Sequence, residues 1–497
     1  MTAPILPSIL PEIILVVAAT ALVAVDLVSR RRANNATLAG IAVIGLLLSA
    51  LAVYFNLNGQ SPRPVLGMLA VDGFASFLMI TVLLGMVLVV LYSIEYLKPY
   101  AEHRSEFYAF LLAVSLAILI AVSANDLLMV YLGMEFVSIT SYILVGFLRK
   151  DKRSNEAAIK YFLYGAVASA VMLYGFSMLY GITGSTNLSA IADALTGQTL
   201  AGGMRWLSFT SVVLMIVGFG FKTSLVPFHQ WAPDTYEGAP SPITGFLSTA
   251  SKVAGFALMV RVLLVALPRF ALDWLTVLAG VSMITMTLGN LVALRQGNIK
   301  RLLAYSSIAQ AGYILMGLVC IPQEQFHLLA LQAFTFNGIN GILLYLFGYV
   351  FTNLGLFAVV IAIENQTGKT EIKEYAGLVQ RSPWLAALLL IFLLSLTGIP
   401  PTLGFWGKYF VFGAAVQVRF FVLLIVAVIN SAIAAGYYLN IVRYAFFMPA
   451  EDESRIHISP SLRVVLAITT VMVLGLGILP GFLIDWASRS AEFLTQF

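Results

Sequence analysis

Four ionisable side chains lie inside long hydrophobic stretches of the sequence: Glu135, Lys222, Lys252 and Lys408. A charge at bilayer depth costs roughly 2.5–3.5 kcal/mol on insertion scales, so a chain that carries several of them is expected to use them. Carboxylates and ammonium groups can take up and release protons, or attract and repel ions. The sequence therefore predicts a protein that moves ions or protons across a membrane.

The composition requires a membrane setting. The 497 residues are 60% hydrophobic and only 10% charged, with a mean hydropathy of +0.94, which excludes a soluble protein. The single cysteine, Cys320, excludes an intrachain disulfide and a multi-cysteine metal or iron–sulfur site. The basic isoelectric point near 9.1 does not indicate nucleic acid, because the basic residues follow membrane sidedness.

Hydrophobic runs long enough for a membrane-spanning helix, about 20 residues, occur fourteen times. The chain is therefore predicted to be an all-α integral membrane protein. Of its 28 Lys and Arg, nineteen lie in one set of loops and flanks, five in the other set and four within spans. Because short cytoplasmic loops are enriched in Lys and Arg, both termini are predicted on the non-cytoplasmic side. The predicted spans are roughly 11–28, 37–55, 74–94, 107–122, 127–148, 159–180, 207–228, 242–267, 274–294, 302–320, 338–363, 383–412, 420–447 and 463–486.

Spans 4 to 8 and 9 to 13 form two candidate units of five helices, and proline interrupts the fourth span of each, at Pro227 and at Pro400 and Pro401. A tandem repeat with an odd number of helices inserts its second copy upside down, so inverted symmetry is expected. The prediction is one polytopic membrane domain with four parts: an N-terminal three-helix segment (1–106), a first repeat (107–267), an inverted second repeat (274–447) and a C-terminal helix (448–497).

The break in the seventh span lies beside one of the buried lysines. Pro227 has no N–H, so the carbonyl of Thr223 loses its helical partner. In lipid that carbonyl needs a protein group or water, which predicts a polar, hydrated interior. Lys222 is adjacent, and His229 follows seven residues later, about 10 Å along a helix, so the two could form a proton relay. The alternative is a kinked helix whose lysine only pairs with a glutamate.

The twelfth span repeats this arrangement. Pro400 and Pro401 should free the carbonyls of Leu396 and Thr397, and Lys408 follows directly after the break. A second lysine is therefore predicted beside freed backbone carbonyls.

The other two charges lie at mid-membrane depth. Glu135 is nine residues past Asp126, about 14 Å along a helix, and Lys252 is ten residues past Pro242, about 15 Å. Both depths match the middle of a hydrocarbon core about 30 Å thick. We interpret them as coupled groups that line a wet interior, and a purely structural buried pair is the alternative. Arg261, about 28 Å past Pro242, is interpreted as a structural residue that reaches the far interface.

Four stretches of the sequence carry a family resemblance, at 222–261, 300–313, 398–409 and 134–147. They resemble the antiporter-like membrane subunits of respiratory complex I and their Mrp-type sodium/proton antiporter relatives. The resemblance covers nearly all fourteen spans, and its first stretch is highly specific. The segment RSNEAAIKYFLYGAVASAVMLYG (153–175), and lysine rather than glutamate at Lys408, are typical of one branch of this family. The resembling stretches are KTSLVPFHQWAPDTYEGAPSPITGFLSTASKVAGFALMVR (222–261), KRLLAYSSIAQAGY (300–313), GIPPTLGFWGKY (398–409) and MEFVSITSYILVGF (134–147).

The resemblance assigns roles to the buried charges. Glu135 matches a glutamate thought to modulate a lysine partner, and Lys222 matches that lysine in the broken helix. Lys252 matches a central lysine, and Lys408 matches a lysine on the exit side.

The resemblance also implies supporting groups in a water-lined path. These are His229, Lys160 and Tyr305. From the residues alone, Lys160 would be only an exposed partner of Glu156 four residues earlier.

The implied function is a proton-translocating membrane-arm subunit of NADH–quinone oxidoreductase, driven by electron transfer to quinone in partner subunits. Protons would enter from the cytoplasm, pass from Lys252 to Lys408 and leave on the opposite face, with the Glu135–Lys222 pair as the switch. Flavin, iron–sulfur clusters and quinone would be held by partner subunits. The implied partners are M-, K-, J- and L-type membrane subunits and the lipid of an energy-transducing membrane, such as a bacterial cell membrane. A subunit of an Mrp-type antiporter or a membrane-bound hydrogenase, and a non-pumping scaffold, remain as alternatives.

Overall fold

The computed structural model of the protein describes residues 5–30, 34–57, 63–98, 103–197, 203–321, 336–450, 454–492 and 494. Helices form most of the regular structure. Within these ranges the one sheet is an antiparallel hairpin of β1 (Arg63–Val65) and β2 (Leu69–Val71).

Aspartates begin several helices of the first half. Asp72, Asp126 and Asp151 each accept a hydrogen bond from a backbone N–H in the first turn that follows, which satisfies a donor without a helical partner. The first seven helices are α1 (Ile5–Ser8), α2 (Leu10–Val28), α3 (Asn35–Leu57), α4 (Gly73–Tyr96), α5 (Arg104–Ser123), α6 (Leu127–Val145) and α7 (Lys152–Thr183).

The middle of the chain contains two interrupted spans. The predicted seventh span ends at Thr223, and the chain resumes as a short helix at Trp231. The eighth span is divided at Thr249 and ends in a π-helical turn, Val262–Ala266. A 3₁₀ turn, Pro268–Phe270, leads into the next span. The helices are α8 (Leu188–Gly197), α9 (Gly203–Thr223), α10 (Trp231–Gly238), α11 (Ser241–Ser248), α12 (Ala250–Arg261), α13 (Ala271–Ala293) and α14 (Ile299–Val319).

The last third contains the predicted break of the twelfth span, which is confirmed. One half ends at Thr397 and the other begins at Leu403. A 3₁₀ turn, Ile372–Tyr375, precedes this span, and a π-helical turn, Val471–Gly475, interrupts the last. The helices are α15 (Gly338–Thr367), α16 (Leu378–Arg381), α17 (Pro383–Thr397), α18 (Leu403–Gln417), α19 (Phe421–Phe447), α20 (Pro460–Thr470), α21 (Leu476–Ile478) and α22 (Gly481–Glu492).

The number of spans agrees with the sequence-based prediction. In the described ranges, thirteen helical segments are long and apolar enough to cross a membrane. The fifteen-residue helices α17 and α18 are each shorter than a span, and together they supply the remaining one. The chain is an all-α integral membrane protein.

Burial identifies the helices that can carry polar groups away from lipid. The apolar stretch of α15 is entirely buried within the protein, and those of α11–α12 and α14 are 94% buried. By contrast, α2 is 22% buried and α19 is 33% buried. Polar side chains on α12, α14 and α15 therefore face protein rather than lipid.

Arg261 has a buried partner that the sequence analysis did not predict. Its guanidinium forms a bidentate pair with Asp72, at 2.7 Å and 3.0 Å, and lies over the ring of Phe74. The two charged side chains are 1% and 0% exposed. Arg261 is therefore a structural residue, as predicted, but it does not extend to solvent, because the carboxylate at the start of α4 holds the guanidinium inside the protein.

Removing one member of this pair should destabilise the protein. Arg261→Met leaves the Asp72 carboxylate buried without its counter-ion, and we expect a loss of about 3–5 kcal/mol. The measurement is the thermal denaturation of the detergent-solubilised complex. The double variant Arg261→Met/Asp72→Asn should recover most of the loss, because asparagine is neutral and still caps a helix. A single variant that denatures at the wild-type temperature would contradict this assignment.

Candidate functional site

Lys222 occupies the last turn of α9 and is 1% exposed. Its Nζ donates to the hydroxyl of Ser138 at 3.1 Å and to that of Tyr161 at 3.5 Å. The chain then leaves the helix through Ser224, whose φ is +61°, and the cis peptide bond before Pro227. The predicted break is therefore confirmed, and it places the ammonium between α6 and α7.

A tryptophan satisfies the backbone at this break. Trp231, the first residue of α10, donates its indole N–H to the carbonyl of Phe221 at 2.9 Å and stacks on Tyr161 with ring centroids 4.3 Å apart. Tyr161 in turn contacts Lys222. The position of α10 is thus coupled to the surroundings of the Lys222 ammonium.

Glu135 lies on α6, one turn before Ser138. The side chain is half-buried, and its Oε1 is buried without a hydrogen-bond partner. Neighbouring side chains on this part of α6 are exposed, including Leu132 at 57% and Ile139 at 52%. The Glu135 carboxylate and the Lys222 ammonium form no ion pair within 4.0 Å. The ammonium instead binds Ser138, one turn from Glu135 on the same helix.

Lys252 lies in the first turn of α12, just after a break that the sequence analysis did not predict. Thr249 has φ −118° and ψ −88°, which separates α11 from α12. The Lys252 side chain is 1% exposed, and its Nζ donates to the carbonyl of Ser307 on α14 at 2.6 Å. The central helices therefore hold this ammonium inside the protein.

Lys408 lies at the twelfth-span break, as predicted. Its Nζ donates to the carbonyl of Thr397 at 2.8 Å and to the hydroxyl of Ser431 at 3.1 Å. It also lies 4.7 Å from the ring centroid of Tyr313. Thr397 is one of the two residues whose carbonyls the prolines were expected to free, so the ammonium satisfies the backbone of the broken helix.

Gly398 gives the Lys408 side chain its space. It has a φ of +91°, and an added Cβ would lie 2.7 Å from the Cδ of Lys408. Gly398→Ala should therefore displace the lysine from Thr397 and strain the backbone by about 1–2 kcal/mol. For the ion or proton movement that the sequence predicts, we expect a reduced rate in membranes with a normal amount of the protein. Gly280→Ala is the matched control, since nothing lies within 4 Å of its added Cβ, and equal translocation by both variants would contradict the expectation.

Buried polar side chains surround the residue that binds Lys252. Tyr349 donates to Ser307 Oγ at 2.8 Å, which joins α15 to the residue that binds Lys252. Asn353, one turn later on α15, donates to Ser248 at 2.7 Å and to Tyr349 at 3.2 Å.

A second group of polar side chains lies closer to Lys408. Gln310, one turn after Ser307 on α14, contacts Tyr345, Tyr438 and the carbonyl of Leu396. Tyr313, a further turn along α14, accepts from Asn290 at 3.2 Å and presents its ring to Lys408. Polar groups therefore follow one another from the Lys252 region to the Lys408 region.

The sequence analysis missed these linking residues. The signal for them was periodicity: Ser306, Gln310 and Tyr313 recur at helical spacing on α14, and Tyr345, Tyr349 and Asn353 do so on α15. Polar residues at such spacing within a buried helix indicate a polar face.

The supporting residues lie at the end of the protein where the prediction puts the cytoplasm. Lys160 pairs with Glu156 and with Asp234, both at 2.8 Å. Asp234 also pairs with Arg301 at 2.7 Å, which joins α10 to both α7 and α14. These charges line an open cavity of about 290 Å³. Burial alone would raise the pKa of Asp234, but its hydrogen bonds to Lys160 and Arg301 outweigh burial and lower that pKa below its ordinary value.

The other two supporting residues, His229 and Tyr305, are both half-buried. The Nδ1 of His229, between α9 and α10, is buried without a hydrogen-bond partner. Tyr305 is half-buried on α14, one turn after Arg301. In the described part of the chain, no group of three or more His, Cys, Asp or Glu residues is arranged to hold a metal ion.

Comparison with known proteins identifies the family of this chain. Residues 124–434 match the family described as NADH:quinone oxidoreductase/Mrp antiporter, transmembrane. That match covers more than half of the chain, and the chain belongs to this family.

The relatives lie in the branch named subunit N. NADH-quinone oxidoreductase subunit N of Heliobacterium modesticaldum is 41% identical over 474 residues, covering 95% of this chain and 96% of that protein. Subunit N 2 of Symbiobacterium thermophilum is 40% identical over 506 residues, covering 98% and 97%. Among solved structures, a chain of respiratory complex I from Thermus thermophilus with bound aureothin is 32% identical with a TM-score of 0.78, covering 95% of this chain and 98% of that one.

Proposed function

We propose that this chain is the proton-translocating subunit N in the membrane arm of an NADH–quinone oxidoreductase. The observation that carries the proposal is the pair of buried ammonium groups, Lys252 and Lys408, with hydrogen-bonding side chains between them. The relatives named subunit N support the assignment to this complex. In this account, the chain carries protons while partner subunits carry out the electron transfer.

Protons enter at the charged cavity around Lys160 and Asp234. From there they reach Lys252 through the protein interior, where His229 and Tyr305 are candidate supporting groups. They then pass by way of hydroxyls and water to Lys408 and leave on the opposite face. Each buried ammonium donates mainly to a backbone carbonyl, and a lysine that has released its proton is neutral, which burial favours.

Glu135 and Lys222 act as the switch of this route. The Glu135 carboxylate has an unpartnered buried oxygen, and Lys222 is bound to Ser138 one turn away on the same helix. When the carboxylate approaches, it stabilises the Lys222 ammonium. When the carboxylate withdraws, that stabilisation is lost, and the positive charge is favoured on the lysines farther along the route, Lys252 and Lys408.

The energies required are modest. A membrane potential of 100 mV opposes each translocated proton by about 2.3 kcal/mol. Withdrawing a unit charge from about 4 Å to about 10 Å from its partner weakens their interaction by about 2.5 kcal/mol at an effective dielectric constant of 20. A displacement of the Glu135 carboxylate by about 6 Å is therefore a sufficient driving device.

We also propose an inverted arrangement of two five-helix repeats. The repeats are 107–267 and 274–447, with 1–106 and 448–497 as flanking segments. The fourth span of each repeat is broken close to a lysine, Lys222 in one and Lys408 in the other. The even number of spans and the distribution of Lys and Arg support both termini on the non-cytoplasmic side of an energy-transducing membrane, which is a bacterial cell membrane by analogy with the relatives above.

The proposed partners are M-, K-, J- and L-type membrane subunits. Flavin, iron–sulfur clusters and quinone belong to partner subunits of the same complex. This chain contributes translocation without redox chemistry of its own.

Two measurements test the assignment. Purification of the intact complex through this chain, with mass spectrometry, should identify the NADH-oxidising and quinone-reducing subunits together with the four membrane partners. Closed vesicles that contain the complex should then acidify on addition of NADH, equally with and without sodium. Recovery of antiporter or hydrogenase subunits, or acidification that requires sodium, would replace this proposal with an Mrp-type or hydrogenase assignment.

A further inference from the structure

Gln310 occupies the middle of the polar region between the two lysines. It lies on α14, one turn after Ser307, whose carbonyl binds Lys252, and one turn before Tyr313, whose ring contacts Lys408. The side chain is 2% exposed. The proposed proton route therefore has to pass this amide.

Three helices converge on the Gln310 side chain. Its Oε1 accepts a hydrogen bond from the hydroxyl of Tyr345 on α15. Its Nε2 donates to the carbonyl of Leu396 on α17 at 3.0 Å and to the hydroxyl of Tyr438 on α19 at 3.3 Å. Tyr438 also shares a hydrogen bond of 2.5 Å with Ser306. Both ends of the amide are thus satisfied inside the protein.

The carbonyl of Leu396 fixes which end of the amide faces which neighbour. That carbonyl is available because Pro400, four residues later, has no N–H to donate to it. A backbone carbonyl only accepts hydrogen bonds, so the amide nitrogen of Gln310 has to face it. A flipped amide would bring two acceptors together. Tyr345 must therefore donate to Gln310, and Tyr438 must accept from it.

We propose that Gln310 is a positioning residue that links the state of the twelfth-span break to the direction of the hydrogen bonds between Lys252 and Lys408. The inference rests on the proposed function. It assigns to Gln310 the role of coupling the position of α17 to the orientation of the hydroxyls in the proton route. The amide itself takes up no proton. It orients the hydroxyls of Tyr345 and Tyr438. Because Tyr345 donates its one O–H to the amide, this hydroxyl passes a proton on only after it has turned from Gln310 toward water.

The proposal explains how the route can reset. When a proton passes along a row of hydroxyls, every hydrogen bond in the row reverses its direction. The row must turn back before the next proton can pass the same way. Movement of the broken helix that withdraws the Leu396 carbonyl releases the Gln310 amide, so the hydroxyls can turn. Return of the carbonyl restores the original direction.

Two substitutions test this role in the intact complex in closed vesicles. Gln310→Met keeps the side-chain length but forms none of the three hydrogen bonds, and we expect NADH-driven proton translocation to fall about tenfold. Gln310→Glu keeps the shape but can donate to Leu396 only when protonated. We therefore expect it to translocate protons at low pH and to lose translocation as pH rises, a step that the wild type lacks. The titratable groups facing this position are Tyr345, Tyr438, Tyr313, Lys252 and Lys408.

Controls separate this inference from a packing effect and from the proposed function. Thr352→Val removes another buried hydrogen bond between α15 and α17, Thr352 to Ser395 at 2.9 Å, and should leave the pH profile unchanged. Wild-type translocation by Gln310→Met, or a wild-type pH profile for Gln310→Glu, would overturn the inference. The Gln310→Glu profile decides the matter if the methionine variant does not assemble. Wild-type translocation by Lys408→Met would instead overturn the proposed function.

Discussion

Lys252→Met should abolish proton translocation through this chain while leaving the complex assembled. Methionine matches the length of the lysine stem but carries no exchangeable proton. The ammonium donates to the Ser307 carbonyl and has no carboxylate within 4.0 Å in the described part of the chain, so its removal leaves no buried charge uncompensated. A proton-carrying group commonly contributes 10²–10⁴-fold to a rate, so we expect a loss of at least about 100-fold.

The measurement is NADH-driven acidification of closed vesicles, normalised to the amount of assembled complex. Lys373→Met is the control, because that lysine is exposed in a 3₁₀ turn between spans and the same charge is removed. Translocation by Lys252→Met at the rate of the control would show that protons do not need this ammonium.

Lys222→Ala and Glu135→Ala should each abolish translocation with assembly intact. The Lys222 ammonium binds Ser138 on α6, and Glu135 lies one turn away on the same helix with an unpartnered buried oxygen. Without the ammonium there is no charge for the carboxylate to stabilise, and without the carboxylate the ammonium is never driven. Because the switch needs both members, the double variant should be no worse than either single one.

This experiment also decides between a pump and a scaffold. Glu106→Ala serves as the control for Glu135, since Glu106 is 43% exposed and pairs with His103 outside the proposed route. Pumping that persists in both Lys222→Ala and Glu135→Ala, at the level of the control, would favour a subunit that only spaces its partners.

The sequence predicted the two breaks that contain proline because proline cannot donate a hydrogen bond. It also predicted that the carbonyls of Leu396 and Thr397 would be freed. It could not show that Gln310 and Lys408 satisfy them, because Gln310 and Leu396 are 86 residues apart. The break at Thr249 was missed because neither proline nor glycine lies at that point.

Long-range partners also explain the other differences. The Arg261–Asp72 pair joins residues 189 positions apart, and helix length alone could place Arg261 near an interface but could not show its partner. Nothing in the sequence singles out Tyr345 and Tyr438 as partners of Gln310, and only the fold brings their hydroxyls to it. The depth of a charge could be predicted from its distance to the helix end, whereas its neighbours on other helices could not.

The most direct test of the central claim is a high-resolution electron cryomicroscopy map of the intact complex that resolves ordered water. We expect water molecules to bridge the hydroxyls and amides from Ser307 and Tyr349, past Gln310, to Tyr313 and Lys408 in an unbroken line. Dry packing between Lys252 and Lys408, with no water within hydrogen-bonding distance of either ammonium, would contradict the proposed route.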